Sequence, residues 1–92
     1  MSNKIVHIFI SGFVQGIGFR QFIKSNAQKL GLKGWVKNLP EGRVEALFNG
    51  EEHKIEEMIA LCKKGPFLSE VENVEIIWEE TEEKFEEFEI LK

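Results

Sequence analysis

The sequence contains one cysteine, two arginines, no aspartate and no long hydrophobic run. A lone Cys62 excludes an intrachain disulfide framework and a zinc site built from several cysteines. No segment approaches the roughly 20 apolar residues that a membrane-spanning helix needs. The apolar run at residues 5–10 is also too short for the hydrophobic part of a secretory signal. We therefore expect a cytoplasmic protein that has no membrane as a partner.

Basic residues are also fewer than acidic ones. The 92 residues carry a formal net charge of −4 at pH 7, and every acidic residue is a glutamate. This balance argues against nucleic acid as the main partner, because phosphate backbones attract basic surfaces. With 42% hydrophobic and 30% charged residues, the composition is that of an ordinary folded domain. The length leaves room for one domain only, which we predict to span residues 1–92.

Potential metal ligands are isolated from one another. His7 lies in a predicted strand and His53 on a predicted helix, and neither has a partner at the spacing of a metal site. The run 79–89 is rich in glutamate but lacks the aspartate, glycine and loop spacing of a calcium site. We therefore predict no metal and no cofactor, and we interpret the acidic run as a solvated face.

Hydrophobic periodicity predicts two helices among several strands. Residues 4–10 are apolar on both alternating sets, which is typical of a strand buried on both faces. Residues 11–18 contain three glycines and predict a loop, and residues 19–30 have the apolar spacing of a helix. A Pro-Gly turn joins predicted strands at 34–39 and 42–48. The remaining predicted elements are a helix at 51–64, a half-exposed strand at 73–79 and a short closing strand at 85–90.

The element order β-α-β-β-α-β predicts a ferredoxin-like α+β fold. Its sheet is expected to be mainly antiparallel, with both helices on one face. Trp35, Trp78 and Cys62 are predicted to belong to the core, and Arg43 is predicted to be a charged residue on an edge strand.

A glycine-rich stretch, Gly12-Phe13-Val14-Gln15-Gly16-Ile17-Gly18-Phe19-Arg20, leads from the first strand into the first helix. Glycines allow backbone N–H groups to converge on one point, and a helix N-terminus adds the positive end of its dipole. Arg20 lies in the first helical turn, where its planar guanidinium can bind two oxygens of one anion. On these residues alone, an anion site and a plain tight connection with a surface arginine both remain open.

This stretch resembles the first signature of the acylphosphatase family. Gly34-Trp35-Val36-Lys37-Asn38, followed by Gly42, Val44 and Gly50, is similar to that family's second signature at the expected separation. One mild departure is Ile17, where the family more often carries valine, and the change conserves side-chain shape. The resemblance spans essentially the whole chain and is to a stand-alone, common-type acylphosphatase.

The resemblance implies a hydrolase acting on acid anhydrides, which cleaves acyl phosphates to a carboxylate and orthophosphate. It also implies that Arg20 binds the phosphoryl group and that Asn38 positions the attacking water. The backbone amides that it implies for phosphate binding are those of Gln15, Gly16, Ile17, Gly18, Phe19 and Arg20. The implied partners are a small-molecule acyl phosphate and its phosphate product, without metal or cofactor, and we expect a monomer.

The residue types suit this chemistry. The leaving group is a carboxylate, which is already stable as an anion near neutral pH, so a general acid is unnecessary. What remains is to neutralise charge on the phosphoryl oxygens and to direct a water in line with the breaking bond. Backbone amides and Arg20 can do the first, and the amide of Asn38 can do the second.

Alternative interpretations remain at this point. Asn38 precedes a turn, where asparagine often only satisfies local backbone groups. The domain could bind phosphate without turnover, as an anion-sensing module. Related domains also occur inside larger carbamoyl-transferring maturation proteins, although the chain length favours a stand-alone enzyme. A ferredoxin-like RNA-binding module would need exposed sheet aromatics and a basic face, which the charge disfavours.

Overall fold

A computed structural model describes residues 3–80 and 84–91 of the chain. The strands are β1 (Asn3–Phe13), β2 (Lys33–Asn38), β3 (Val44–Glu51), β4 (Glu70–Glu79) and β5 (Phe88–Ile90). The helices are α1 (Phe19–Lys29) between β1 and β2, and α2 (Glu52–Lys64) between β3 and β4. The five strands form one sheet in the order β4-β1-β3-β2-β5. All pairs are antiparallel except β2 with β5. The predicted ferredoxin-like α+β fold is thereby confirmed.

The core lies between the helices and one face of the sheet. Alternate residues of β1, which are Val6, Ile8 and Ile10, are fully buried against apolar residues of both helices. Cys62 of α2 is part of this core, as predicted, and burial raises the pKa of its thiol above the ordinary range. A buried, protonated thiol is a poor nucleophile, so Cys62 has a packing role.

The opposite face of the sheet is acidic. Phe9 of β1 and Trp35 of β2 are half-buried there, and Glu45 and Glu75 lie directly across from Phe9 on the neighbouring strands. His7 stands between two strands, where Nδ1 lies 3.2 Å from a Glu79 carboxylate oxygen and Nε2 contacts Glu45. Lys37 and Arg43 partly offset this negative charge, since their cationic groups lie against the rings of Trp35 and Phe9 on the same face.

Three strands are longer than the sequence pattern predicts, and one of them, β4, begins at Glu70 rather than at residue 73. β1 continues to Phe13, because Gly12 follows a bulge at Ser11 and holds a φ of 126° that glycine adopts without strain. β3 continues through Asn49 and Gly50, which pair with Ile5 and Lys4 of β1 rather than ending the strand. The predicted loop at 11–18 therefore begins at residue 14, which fixes where the candidate site starts.

Four smaller predictions were wrong. Trp78 is 45% exposed, because β4 is an edge strand with a neighbour on one side only. Arg43 is not an edge residue, since it precedes β3, an interior strand, and its guanidinium lies against the ring of Phe9 and bonds to Glu41. The closing strand covers only Phe88–Ile90 of the predicted 85–90. Trp35 is not part of the core either, since it lies half-buried on the sheet face away from the helices. Part of the run 79–89 lies outside the described residues.

Candidate functional site

The loop between β1 and α1, together with the first turn of α1, is here called the cradle (residues 14–21), after the anion-binding role that the sequence predicts for its main-chain N–H groups. Gly16 and Gly18 hold left-handed φ values of 77° and 79°, which a side chain would strain. The N-cap residue of α1 is Gly18, so no side chain at this position accepts a hydrogen bond from the first N–H groups of the helix. The first helical turn also contains no acidic residue. Of the hydrogen bonds found in the described residues, none uses a backbone N–H between Gly16 and Gln21. These donors lie at the positive end of the helix dipole, which favours an anion.

Arg20 lies in the first turn of α1 and is partly exposed. Within residues 3–80 and 84–91 it takes part in no salt bridge, whereas Arg43 is paired with Glu41. A guanidinium beside a cluster of unpaired N–H groups can bind two oxygens of a tetrahedral anion. Arg20, the arginine that the sequence analysis singled out, thus lies at the N-terminal end of α1.

Gln15 links the cradle to the β2–β3 hairpin. Its Nε2 donates hydrogen bonds to the carbonyl oxygens of Leu39 at 2.8 Å and Arg43 at 2.9 Å. The hairpin is itself closed by the Leu39 N–H, which donates to Arg43 O at 2.8 Å, and by the Gly42 N–H, which donates to Leu39 O at 3.1 Å. The Gln15 side chain therefore joins the cradle to two carbonyl groups of the hairpin, which lie 24 and 28 residues further along the chain.

This tie was missed in the sequence, where only the backbone of Gln15 received a role. A glutamine between Val14 and Gly16 gives no indication of a partner so distant along the chain. The only available signal was indirect: a polar side chain follows a buried valine at the start of a loop that needs support.

Asn38 is the last residue of β2 and pairs with Val44 of β3. It immediately precedes Leu39, which Gln15 contacts, so the hairpin holds it next to the point where the cradle loop attaches. Its side-chain Oδ1 is buried and accepts no hydrogen bond from any described group. A buried acceptor without a partner is costly in a folded protein and calls for an explanation, of which a role at a functional site is one. Oδ1 suits a donor O–H such as that of water.

The histidines are engaged elsewhere. His53 Nδ1 lies 2.6 Å from a carboxylate oxygen of Glu51, and His7 lies on the acidic face of the sheet. In the part of the chain that the structure describes, no three metal-ligating side chains come together. No described helix is long and apolar enough to cross a membrane.

Comparison with known proteins decides what this arrangement belongs to. A sequence model described as acylphosphatase matches residues 6–90. The chain belongs to the acylphosphatase family. It is accordingly a hydrolase of the class that acts on acid anhydrides, and the resemblance found in its two signatures is confirmed at the level of the family.

Individual relatives agree with this assignment. An acylphosphatase of Trichormus variabilis is 49% identical over 77 residues, which are 84% of this chain and 76% of the relative. The crystal structure of an acylphosphatase from Bacillus subtilis superposes with a TM-score of 0.94 at 35% identity, covering 97% of this chain and 99% of that one. Full-length HypF, solved in a phosphate- and nucleotide-bound form, contains a similar region with a TM-score of 0.87 and 33% identity. That match covers 99% of this chain but 12% of HypF.

Proposed function

We propose that this protein hydrolyses acyl phosphates by in-line attack of a water that Asn38 positions on a phosphoryl group held by the cradle and Arg20. One observation carries the proposal. Unpaired N–H groups at the start of α1 and the unpaired buried Oδ1 of Asn38 belong to two segments that Gln15 ties together. An anion binder needs only the first set, whereas hydrolysis also needs a group that orients a nucleophile.

The reaction balances without a further reactant. The water oxygen attacks phosphorus and forms the new P–O bond, while the bond from phosphorus to the bridging oxygen breaks. Its electron pair leaves on the carboxylate, and the water's proton goes to the phosphate product or to solvent. Arg20 and the N–H groups of residues 15–20 neutralise charge on the three equatorial oxygens. Asn38 accepts a hydrogen bond from the water, which turns an oxygen lone pair towards phosphorus.

The test is hydrolysis of benzoyl phosphate by the native chain in excess chelator, compared with Arg20→Ala, Arg20→Lys and Asn38→Ala. Loss of the arginine fork should lower the rate by about 10²–10³, as for loss of one oxyanion donor, and lysine should not restore it. Asn38→Ala should lower kcat more than it raises KM, because Asn38 acts on the water. Lys24→Ala, which removes a positive charge one turn further along α1, is the matched control and should leave turnover intact.

Two results would contradict the proposal. Folded native protein that binds phosphate but does not accelerate hydrolysis would be an anion-binding module. Equal kcat in Asn38→Ala would remove Asn38 from the mechanism. We further propose, as expected from the sequence, that the protein acts as a cytoplasmic monomer.

A further inference from the structure

Three exposed apolar side chains lie at the end of the sheet that carries the cradle. Phe13, Phe67 and Leu68 are 57%, 97% and 66% exposed, and we call them the apolar rim. Phe13 ends β1 directly before the cradle loop, and it pairs with Glu70, the first residue of β4. Phe67 and Leu68 come just before β4, so the register brings all three to one end of the β1–β4 pair.

The segment that carries Phe67 and Leu68 is a hydrogen-bonded turn, and Gly65, directly before it, lies close to the start of α1. The N–H and the Oγ–H of Ser69 both donate to the carbonyl oxygen of Pro66, at 3.0 Å and 2.7 Å. This closes a four-residue turn with Phe67 and Leu68 at its two central positions. A Cβ atom at Gly65 would lie only 3.2 Å from the ring of Phe19, the first residue of α1. The turn therefore lies beside the helix end that holds Arg20.

Combined with the proposed roles of Asn38 and the cradle, the strand order points to a direction in which the leaving group departs. β4 lies on one side of β1, and the β2–β3 hairpin with Asn38 lies on the other. In an in-line displacement, the attacking and leaving oxygens stand on opposite sides of phosphorus. With the water on the Asn38 side, the acyl group points to the β4 side, where the apolar rim stands. This step rests on the proposed function.

We propose that the apolar rim binds the acyl group of the substrate, so that this enzyme prefers acyl phosphates with an aromatic or other bulky apolar acyl group. The acyl carbon is joined to phosphorus through a single bridging oxygen, so the group cannot lie far from the cradle. Burying part of a phenyl ring against Phe13, Phe67 and Leu68 removes apolar surface from water on both partners. A methyl group in the same place covers much less.

The test compares kcat/KM for benzoyl phosphate with that for acetyl phosphate in the native chain, in Phe67→Ala/Leu68→Ala and in Phe13→Ala. The ratio of the two values should fall by about threefold or more in each variant, since contacts of a few methylenes change specificity by that order. Phe67→Tyr keeps the ring and should keep the ratio. Ile77→Ala removes an apolar side chain that is 41% exposed but lies away from the cradle along β4, and it should leave the ratio unchanged. Because the rim side chains are exposed, the variants should fold, which circular dichroism verifies.

The outcomes distinguish failure of the inference about the apolar rim from failure of the proposed function. If the native chain hydrolyses both substrates and the ratio of their kcat/KM values is the same in all variants, the rim does not bind the acyl group. In that case this inference alone fails. If the rim variants change the mass in light scattering but not the ratio, the rim contacts a second copy of the chain, and the inference again fails. If the native chain hydrolyses neither substrate, the proposed function fails and this inference with it.

Discussion

The side chain of Gln15 offers the sharpest test of how the site is assembled. Gln15→Ala removes two hydrogen bonds, of 2.8 Å and 2.9 Å, between the cradle loop and the hairpin. Both acceptor carbonyls keep a backbone donor, because Gly42 N–H bonds to Leu39 O and Leu39 N–H bonds to Arg43 O. The substitution therefore leaves no buried carbonyl unpaired. The expected cost is about 2 kcal/mol in the free energy of unfolding, the net value of two hydrogen bonds.

The effect on turnover should exceed the effect on stability. Without the tie, the position of Asn38 relative to the cradle depends on sheet pairing alone, in which Asn38 pairs with Val44 and Val44 pairs with Ile10 of β1. A displacement near 1 Å can cost about 10²-fold in rate. We expect kcat for benzoyl phosphate to fall by about 10- to 100-fold. Inhibition by inorganic phosphate should change little, because Arg20 and the backbone donors remain.

Asn49→Ala is the matched control for Gln15→Ala. Its Nδ2 donates one hydrogen bond, of 3.1 Å, to Lys4 O between β3 and β1, at the other end of the sheet. Urea unfolding should report a loss of about 1 kcal/mol in this variant, with kcat unchanged. If Gln15→Ala were to lose stability as expected but retain full kcat, the view that this side chain positions Asn38 would be refuted.

Two further predictions concern the fold. Cys62 keeps its proton in the folded protein, whereas the unfolded chain releases it above the ordinary value of 9.0, so unfolding is favoured as the pH rises. Urea unfolding between pH 8 and pH 10.5 should therefore show that the free energy of unfolding falls above pH 9 more steeply in the native chain than in Cys62→Ala. The difference between the two slopes should approach about 1.4 kcal/mol per pH unit, the value for one proton. Parallel profiles for the two proteins would contradict this prediction. Gly34→Ala would bring a Cβ atom to the carbonyl oxygen of Leu47 and should destabilise by about 2–4 kcal/mol. At Gly31, which is also left-handed but has open space around it, alanine should cost only about 1–2 kcal/mol, and equal losses in thermal unfolding would exclude the steric explanation.

The fold was predictable from the sequence because its local signals agree with one another. The helical stripe of α1 ends at Gly31, which adopts the left-handed conformation expected of it, and the glutamates and lysines of α2 stand at the expected ends. Strand ends were harder, since an edge depends on partners distant in the chain. Gly12 and Gly50 looked like interruptions but are accommodated inside strands.

The candidate site was predictable only in its backbone and charged parts. A glycine loop before a helix has a local meaning, as does an arginine in the first turn. The unpaired Oδ1 of Asn38 and the two bonds of Gln15 depend on three-dimensional packing, which no local pattern encodes. Trp78 was assigned to the core on alternation alone, and alternation cannot tell an edge strand from an interior one.

The parallel pairing of β5 with β2 has a consequence for how the protein is made. β2, which ends in Asn38, receives its outer partner from residues near the end of the chain, where Leu91 N–H donates to Val36 O at 2.8 Å. A ribosome synthesises the chain from its N-terminus, so the cradle and hairpin emerge well before this last strand. Non-local pairing of this kind forms late in folding. We therefore expect the nascent chain to contain every residue of the site before it has the support that holds the strand of Asn38 in place.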